Sequence, residues 1–341
     1  MNILIVRLGA LGDVVHAIPA AAAIRAALPE ARIDWLVEAK HRPIVDLVTA
    51  VDGVVTLEGR TIRAWADIVS RLRRARYDVA LDLQGLMKSA ILARASGASR
   101  VAGFSIWHLR EKGARPFYSE TGPAEGADHV IQKNLQLLRV VGIETSEVEF
   151  PIADVSSAAA DAVRTELGAA RYALINPGAA WPNKQWPAAR YGEVAAFLRD
   201  IRNLPSIVLW GPGEESLARS VIEASHGAAR QAPRTSIADL VALARGASLV
   251  VSGDTGPLHI AAAVGTPAVA VFGPTNPARN GPWSPDDVTV SRFDRCDCHY
   301  ERKCHQAAWC LDTVTVTEVT AAVQQRLGRS VTAPSRSESD V

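Results

Sequence analysis

Residues 252–275, SGDTGPLHIAAAVGTPAVAVFGPT, decide the fold. Leu249 to Ser252 reads as the end of a buried strand, followed by a tight turn at Gly253-Asp254-Thr255-Gly256 and a short Ala-rich helix. A second apolar strand, Pro267 to Phe272, ends in Gly273-Pro274-Thr275. Strands that are apolar throughout, rather than alternating, are those covered on both faces of a parallel sheet. A helix whose first turn is Asp-Thr-Gly offers backbone N–H groups, a hydroxyl and the positive end of the helix dipole to one point. Proteins hold diphosphates in this way, so a nucleotide-linked substrate is the first function class the sequence suggests.

The same strand–turn–helix alternation extends outward in both directions. Upstream, strands are expected at Asn2 to Leu8, Arg32 to Val37, Val54 to Leu57, Tyr77 to Leu83 and Val101 to Phe104. Helices are expected from the Gly9/Gly12 turn through Ala27, then at Asp46 to Val51, Ile62 to Arg74, Leu86 to Ala95 and His129 to Val141. The pattern restarts after Phe150, with strands at Tyr172 to Asn176 and Ile207 to Trp210. Helices follow at Pro187 to Ile201, Glu214 to Ala224, Ile237 to Ala244 and Thr317 to Leu327. Two such runs predict an α/β protein of two Rossmann-like, doubly wound parallel sheets, residues 1–152 and 153–328. The polar, Ser-rich end, residues 329–341, reads as a disordered tail. In doubly wound sheets ligands sit beyond the carboxyl ends of the strands, and with two sheets the natural site is the cleft between them.

The chain has 341 residues and a net charge of +1, which argues against a general nucleic-acid binder. The charge is uneven: residues 60–115 carry twelve Lys/Arg against four acids. Such an excess is either a set of solvated helix faces or a dock for an anionic partner or membrane surface. The most apolar run, Leu258 to Phe272, contains His259, Gly265 and Pro267 and is too short to span a bilayer. The first residues lack a basic leader and are interrupted by Arg7 and Asp13, so a cytoplasmic location is expected. Cys296, Cys298, Cys304 and Cys310 cluster near the end. Their spacing is not a usual zinc-ribbon pattern, and they are either reduced thiols in a loop or metal ligands.

Several strand ends carry candidate chemistry. Arg7-Leu8-Gly9-Ala10-Leu11-Gly12-Asp13 is not the G-x-G-x-x-G dinucleotide fingerprint, and a carboxylate at that helix start would repel a pyrophosphate. Asp13 is an ordinary helix-capping residue, but at a cleft it can also accept a proton from a sugar hydroxyl. His16 lies three residues on, on the same helix face. Asn176-Pro177-Gly178-Ala179-Ala180 ends a strand and leads to Lys184, a cation able to stabilise a leaving diphosphate. Gly211-Pro212-Gly213-Glu214-Glu215 follows another strand, where an acid can hold a ribose hydroxyl or simply favour a helix start.

Together, GALGDVVHAIPA (residues 9–20), DWLVEAKH (34–41), LDLQGLMKSA (81–90), NPGAAWPNKQWP (176–187) and SGDTGPLHIAAAVGTPAVAVFGPTNP (252–277) resemble glycosyltransferase family 9, the ADP-heptose:lipopolysaccharide heptosyltransferases. The resemblance spans Met1 to about Leu327. DWLVE, DLQGLMKSA and the Trp107, Arg110, Glu111, Phe117 and Tyr118 pattern look most like the heptosyltransferase I branch, which adds the first inner-core heptose. It implies a GT-B fold in which the C-terminal domain takes ADP-heptose and the N-terminal domain takes a 3-deoxy-manno-octulosonic acid (Kdo) residue of Kdo2-lipid A. It implies Asp13 as general base of an inverting transfer. Gly178, Ala179, Ala180, Lys184, Glu215, Asp254, Thr255, Gly256 and His259 would form the donor site. No cofactor is implied, and no divalent metal bridging the diphosphate. The basic excess falls in the acceptor half, so Arg63, Lys88, Arg110 and Arg115 are candidate acceptor contacts, and Gly12, His16 and Gln84 are further candidates there. A monomer at the cytoplasmic face of the inner membrane is the expected form. Ala179-Ala180 stand where heptosyltransferase I often has hydroxyl residues near the donor phosphate, and Asn176-Pro177-Gly178 and the cysteine cluster look more like heptosyltransferase II and other family members. Heptosyltransferase II, another family 9 transferase, and a non-catalytic nucleotide-sugar-binding protein are the alternatives, with a nicotinamide dehydrogenase disfavoured by the missing fingerprint.

Overall fold

The computed structural model describes residues 1–59, 61–123, 126–168 and 171–328; the expected tail at 329–341 lies outside the described residues. In the first half, strands β1 (Asn2–Val6), β2 (Arg32–Glu38), β3 (Gly53–Leu57), β4 (Val79–Asp82), β5 (Arg100–Phe104) and β6 (Glu120–Gly122) form one sheet. The second half contributes β7 (Ala173–Asn176), β8 (Ser206–Val208), β9 (Ala229–Gln231), β10 (Leu249–Gly253), β11 (Ala268–Phe272) and β12 (Val288–Ser291). The orders are β3-β2-β1-β4-β5-β6 and β12-β11-β10-β7-β8-β9, and every pairing is parallel. Each half therefore begins mid-sheet, winds to one edge, then returns to wind to the other. This places switch points between β1 and β4 and between β7 and β10, where ligands of such sheets bind.

The helices that matter to the site are α1 (Leu11–Val15), α2 (Ile18–Ala27), α3 (Arg42–Val45), α4 (Ile62–Ala75), α5 (Met87–Ala95), α6 (Val130–Leu137), α7 (Ala158–Glu166), α8 (Ala188–Arg202), α9 (Glu215–Ala224), α10 (Ile237–Gly246) and α11 (Gly256–Ala263). They cover both faces of the sheets, which is why Ile3 to Val6 and Leu249 to Val251 are fully buried and apolar. One continuous core runs through the first half and across to Leu174, Ile207, Leu240, Leu258 and Phe272 of the second. A separate cluster, including Trp186, Tyr191 and Val323, fills the other face of the second sheet. The crossover segment is pinned on both sides. Ala153 N–H donates to Leu47 O at 2.8 Å, and Arg245 reaches the carbonyls of Ile152 and Ala153.

Three expectations change. The first helix is two: Pro19 sits in the first turn of α2, where its missing N–H does no harm, and the chain turns at His16-Ala17 instead of running straight through. The helix expected at Asp46 to Val51 lies earlier, as α3, because Pro43 starts it. The following residues turn so that Val48 pairs with Ile152. Edge strands β6, β9 and β12 lack the fully buried apolar runs of the central strands and were not expected.

Candidate active site between the two halves

Arg7 follows β1 and is 5% exposed. Its guanidinium donates to Leu83 O, at the end of β4, and lies 2.8 Å from Asp13 Oδ1. Asp13 Oδ2 also accepts from Ala10 N–H at 3.3 Å. The side chain of Asp13 keeps 36% of its surface exposed, so a carboxylate fixed at its base by a buried cation remains reachable. An acid in the first turn is favoured by the helix dipole, which accounts for this residue locally.

Across the seam, the second half builds its site where β7 and β10 end. The Asn176 amide donates to Ser252 Oγ at 3.0 Å and Thr255 Oγ1 at 2.9 Å, tying the two strand ends together. Lys184, in the short turn after β7, places Nζ 2.5 Å from Asp254 Oδ2 and 4.5 Å from the centre of the Trp181 ring. Asp254 also accepts from Thr275 Oγ1 at 2.7 Å and Asn280 Nδ2 at 3.0 Å, and lies 3.1 Å from His259 Nε2. Burial pushes its carboxyl up, but the His259 hydrogen bond and the Lys184 charge outweigh burial and hold it far below the ordinary carboxylate range.

This alters how the Asp-Thr-Gly turn works. The Asp254 carboxylate has four donors and is buried, so it anchors Lys184 rather than facing a ligand. The Thr255 hydroxyl is engaged by Asn176. Pro257 removes one of the N–H groups at the start of α11, and the Leu11 side chain packs over Gly256. The cation on Lys184, more than a ring of free amides, is what this end of the cleft offers an anion.

Gly178 is buried under the Glu214 carboxylate, where a Cβ would come within 2.3 Å of it. Glu214 also accepts from Gly211 N–H at 2.9 Å. Its neighbour Glu215, the expected ribose contact, is exposed, because the register of α9 turns Glu214 toward the strand ends instead. Ala179 is half-buried and Ala180 exposed.

The acceptor candidates are dispersed along the carboxyl edge of the first sheet. Gln84 Oε1 accepts from Leu8 N–H at 2.8 Å. Lys88 pairs with Glu38 at 2.5 Å, and Arg115 donates to Tyr118 O at 3.1 Å. Arg63 and Arg110 are exposed. Arg63 lines a shallow cavity of about 220 Å³ with Thr56, Glu58, Thr61 and Arg71. Part of the local positive excess is thus spent on internal pairs. His16 does not face an acceptor: it is 4% exposed, its ring 4.4 Å from that of His259 and 5.3 Å from that of His129. The turn after α1 that sequence periodicity missed is what folds it inward. Gly12 likewise faces His259 rather than open space.

The cysteines are free thiols. Cys298 Sγ lies 3.5 Å from Cys304 Sγ, and burial together with Cys296 pushes the Cys310 thiol up to about 12. Among the described residues, no group of three or more His, Cys, Asp or Glu is placed to hold a metal ion. The thiols neighbour one another without converging on a ligand set.

Sequence reading assigned no site role to Arg7, Thr275, Asn280 or His129, and of the adjacent acids Glu214 and Glu215 the resemblance singled out only Glu215. Arg7 was visible only as an interruption of an apolar strand, and Asn280 ends a short helix, Pro277–Asn280, too brief for periodicity to mark.

A model of glycosyltransferase family 9 (heptosyltransferase) matches residues 65–309. The chain is 30% identical over 319 residues to lipopolysaccharide heptosyltransferase 1 of Pseudomonas aeruginosa, covering 89% of this chain and 87% of that protein. It is 29% identical over 296 residues to the enzyme of the same name from Escherichia coli, covering 82% and 90%. Among solved structures it resembles E. coli heptosyltransferase WaaC with ADP, with a TM-score of 0.74 and 24% identity over 96% of this chain and 98% of that one. E. coli ADP-heptose lps heptosyltransferase II gives a TM-score of 0.74 at 21% identity, over 96% and 98%. These likenesses show the GT-B fold.

Proposed function

This chain belongs to glycosyltransferase family 9, and we propose that it moves L-glycero-D-manno-heptose from ADP-heptose to a Kdo hydroxyl of Kdo2-lipid A. The observation that carries this reading is the placement of a reachable carboxylate, Asp13, and an anchored cation, Lys184, on the two sides of one seam. The names of the similar proteins support the donor sugar and the lipopolysaccharide acceptor. In the proposed step Asp13 takes the proton of the acceptor hydroxyl as its oxygen attacks the anomeric carbon. The new C–O bond forms on the face opposite the departing ADP, so the configuration inverts, and the C–O bond to the diphosphate breaks. Lys184, held by Asp254 and stacked on Trp181, meets the charge that grows on the leaving diphosphate. Glu214, rather than Glu215, is the acid placed to hold a ribose hydroxyl.

The acceptor is anionic and lipid-linked. Arg63, in the first turn of α4, and Arg110 and Arg115, in the segment between β5 and β6, are the groups we assign to its carboxylates and phosphates. Among the described residues no helix is long and apolar enough to cross a membrane. The reading places a monomer at the cytoplasmic face of the inner membrane, where its acceptor lies. A coupled ADP-release assay with ADP-heptose tests it. Turnover with Kdo2-lipid A is the expected result; turnover with only the monoheptosylated acceptor, or with neither, overturns the acceptor assignment.

A further inference from the structure

Two glycines face each other's helices across the seam. A Cβ on Gly12 would lie 2.2 Å from His259 Cδ2, and a Cβ on Gly256 would lie 2.5 Å from Leu11 Cδ2. Each helix start therefore supplies one knob and one hole: Leu11 enters at Gly256, and His259 enters at Gly12. Neither glycine adopts the left-handed conformation that favours glycine, so space rather than backbone shape requires them. A Cβ at such distances forces something to shift, and the His259 ring, buried against His16 on one side and Asp254 on the other, has little room to give.

The knob on the second half is not an inert side chain. His259 is 5% exposed and lies 3.1 Å from Asp254, which holds Lys184. On its other side its ring meets that of His16, and the His16 carbonyl accepts from the Asn134 amide at 3.0 Å. His129, beside His16, reaches back over the seam: its Nε2 lies 3.0 Å from Gly281 O, and its ring centre is 5.1 Å from that of Trp283. A continuous line of contacts thus joins Gly12, the residue before Asp13, to Lys184.

We propose that this reciprocal knob-and-hole pair is the register of domain closure. It sets the distance and angle between the half carrying Asp13 and the half carrying Lys184, with Gly12 and Gly256 required as holes and His259 acting as a positioning residue. Gly12 thereby meets the opposite domain instead of a ligand. Only the turnover arm of the test rests on the function proposed above.

The experiment uses the full chain, with ADP as the binding probe and small-angle scattering or a dye pair across the seam to read domain separation. Gly12→Ala should bind ADP within about threefold of the parent, sit measurably more open, and lose about 100-fold in kcat with little change in donor KM, as a misplacement of about 1 Å between reacting groups would produce. His259→Asn shortens the knob and gives up the Nε2 contact with Asp254, which keeps Lys184, Thr275 and Asn280 as partners. Placed on Gly12→Ala, it should restore closure and at least tenfold of the lost kcat, a non-additivity that independent sites do not show. Leu11→Ala deletes the other knob without a clash, so it should also loosen closure should Gly12→Ala fail to fold. An unchanged separation in both Gly12→Ala and Leu11→Ala overturns the register. So does ADP affinity that falls in step with kcat in Gly12→Ala, or a double variant worse than either single one. A parent chain that turns over no ADP-heptose sinks the functional reading alone, since separation and ADP affinity still decide the register.

Discussion

Lys184 Nζ and Asp254 Oδ2 lie 2.5 Å apart, with the lysine side chain 16% exposed and the aspartate 4%. The cation that the second half offers to an anion is therefore itself held by a buried carboxylate with three further partners. Asp254→Asn keeps the shape and removes the charge. Breaking a buried ion pair by removing one partner costs about 3 kcal/mol or more. We expect a marked fall in Tm, and a fall in kcat of about 100-fold as Lys184 loses its fixed position. Denaturation and steady-state kinetics on the same preparation check both, and an unaltered kcat would show that Lys184 needs no anchor.

Asp13 differs from Asp254 in being open on one side. Asp13→Ala should lower turnover by about 100-fold to 10,000-fold, the usual worth of a general base, while ADP binds as before. Calorimetric titration with ADP separates the two outcomes. Loss of ADP affinity in parallel with turnover would place Asp13 in the donor site or in the fold, not at the acceptor hydroxyl.

The neighbouring acids at the start of α9 give a sharper contrast. Glu214 lies over Gly178 and accepts from Gly211 N–H, whereas Glu215 is exposed. Glu214→Gln should raise donor KM by about tenfold, in line with losing a hydrogen bond to a charged group, and Glu215→Gln should leave it unchanged. The reverse ranking in donor KM would restore Glu215 as the ribose contact. Gly178→Ala should reproduce the Glu214 phenotype, because a Cβ there meets the carboxylate at 2.3 Å.

That contrast also marks the reach of the sequence. The central strands were legible because they are buried on both faces and apolar without interruption, as in Leu249 to Val251 and Ala268 to Phe272. From such strands followed the doubly wound sheets, the cleft, and the strand-end loops bearing Asp13, Lys184 and Asp254. Which of two adjacent acids faces inward depends on the phase of a helix start, and a Glu-Glu pair carries no periodicity to fix it. The inward position of His16 depended on the turn before Pro19, and its contacts with His129 and His259 come from residues 113 and 243 positions further along the chain. Charge counting was blind in the same way: Lys88 adds to the basic excess in sequence, yet Glu38, 50 residues earlier, takes it up.

The buried histidines make stability depend on pH. Burial first, and the Lys40 charge second, lower the His41 imidazole to about 4. Burial and the neighbouring imidazoles push His16 well below the ordinary value of 6.5, and burial lowers His129 in the same direction. In the unfolded chain these rings take up protons as pH falls through about 6.5, while the folded chain resists. The unfolded state then binds more protons, so stability is fully present above pH 6.5 and is lost progressively down to the folded values, for His41 near 4. Asp254 does not offset this, because its carboxyl stays charged throughout that window. Protonation of His16 would also add a cation beside Arg7 and next to the His259 ring, at the seam that joins the halves. Tm should therefore fall by several degrees between pH 7 and pH 5. His41→Gln, which cannot titrate, should reduce the slope. Thermal denaturation of both proteins across this range decides it: a Tm flat to pH 5 would mean that the rings gain protons in the folded chain as readily as in the unfolded one.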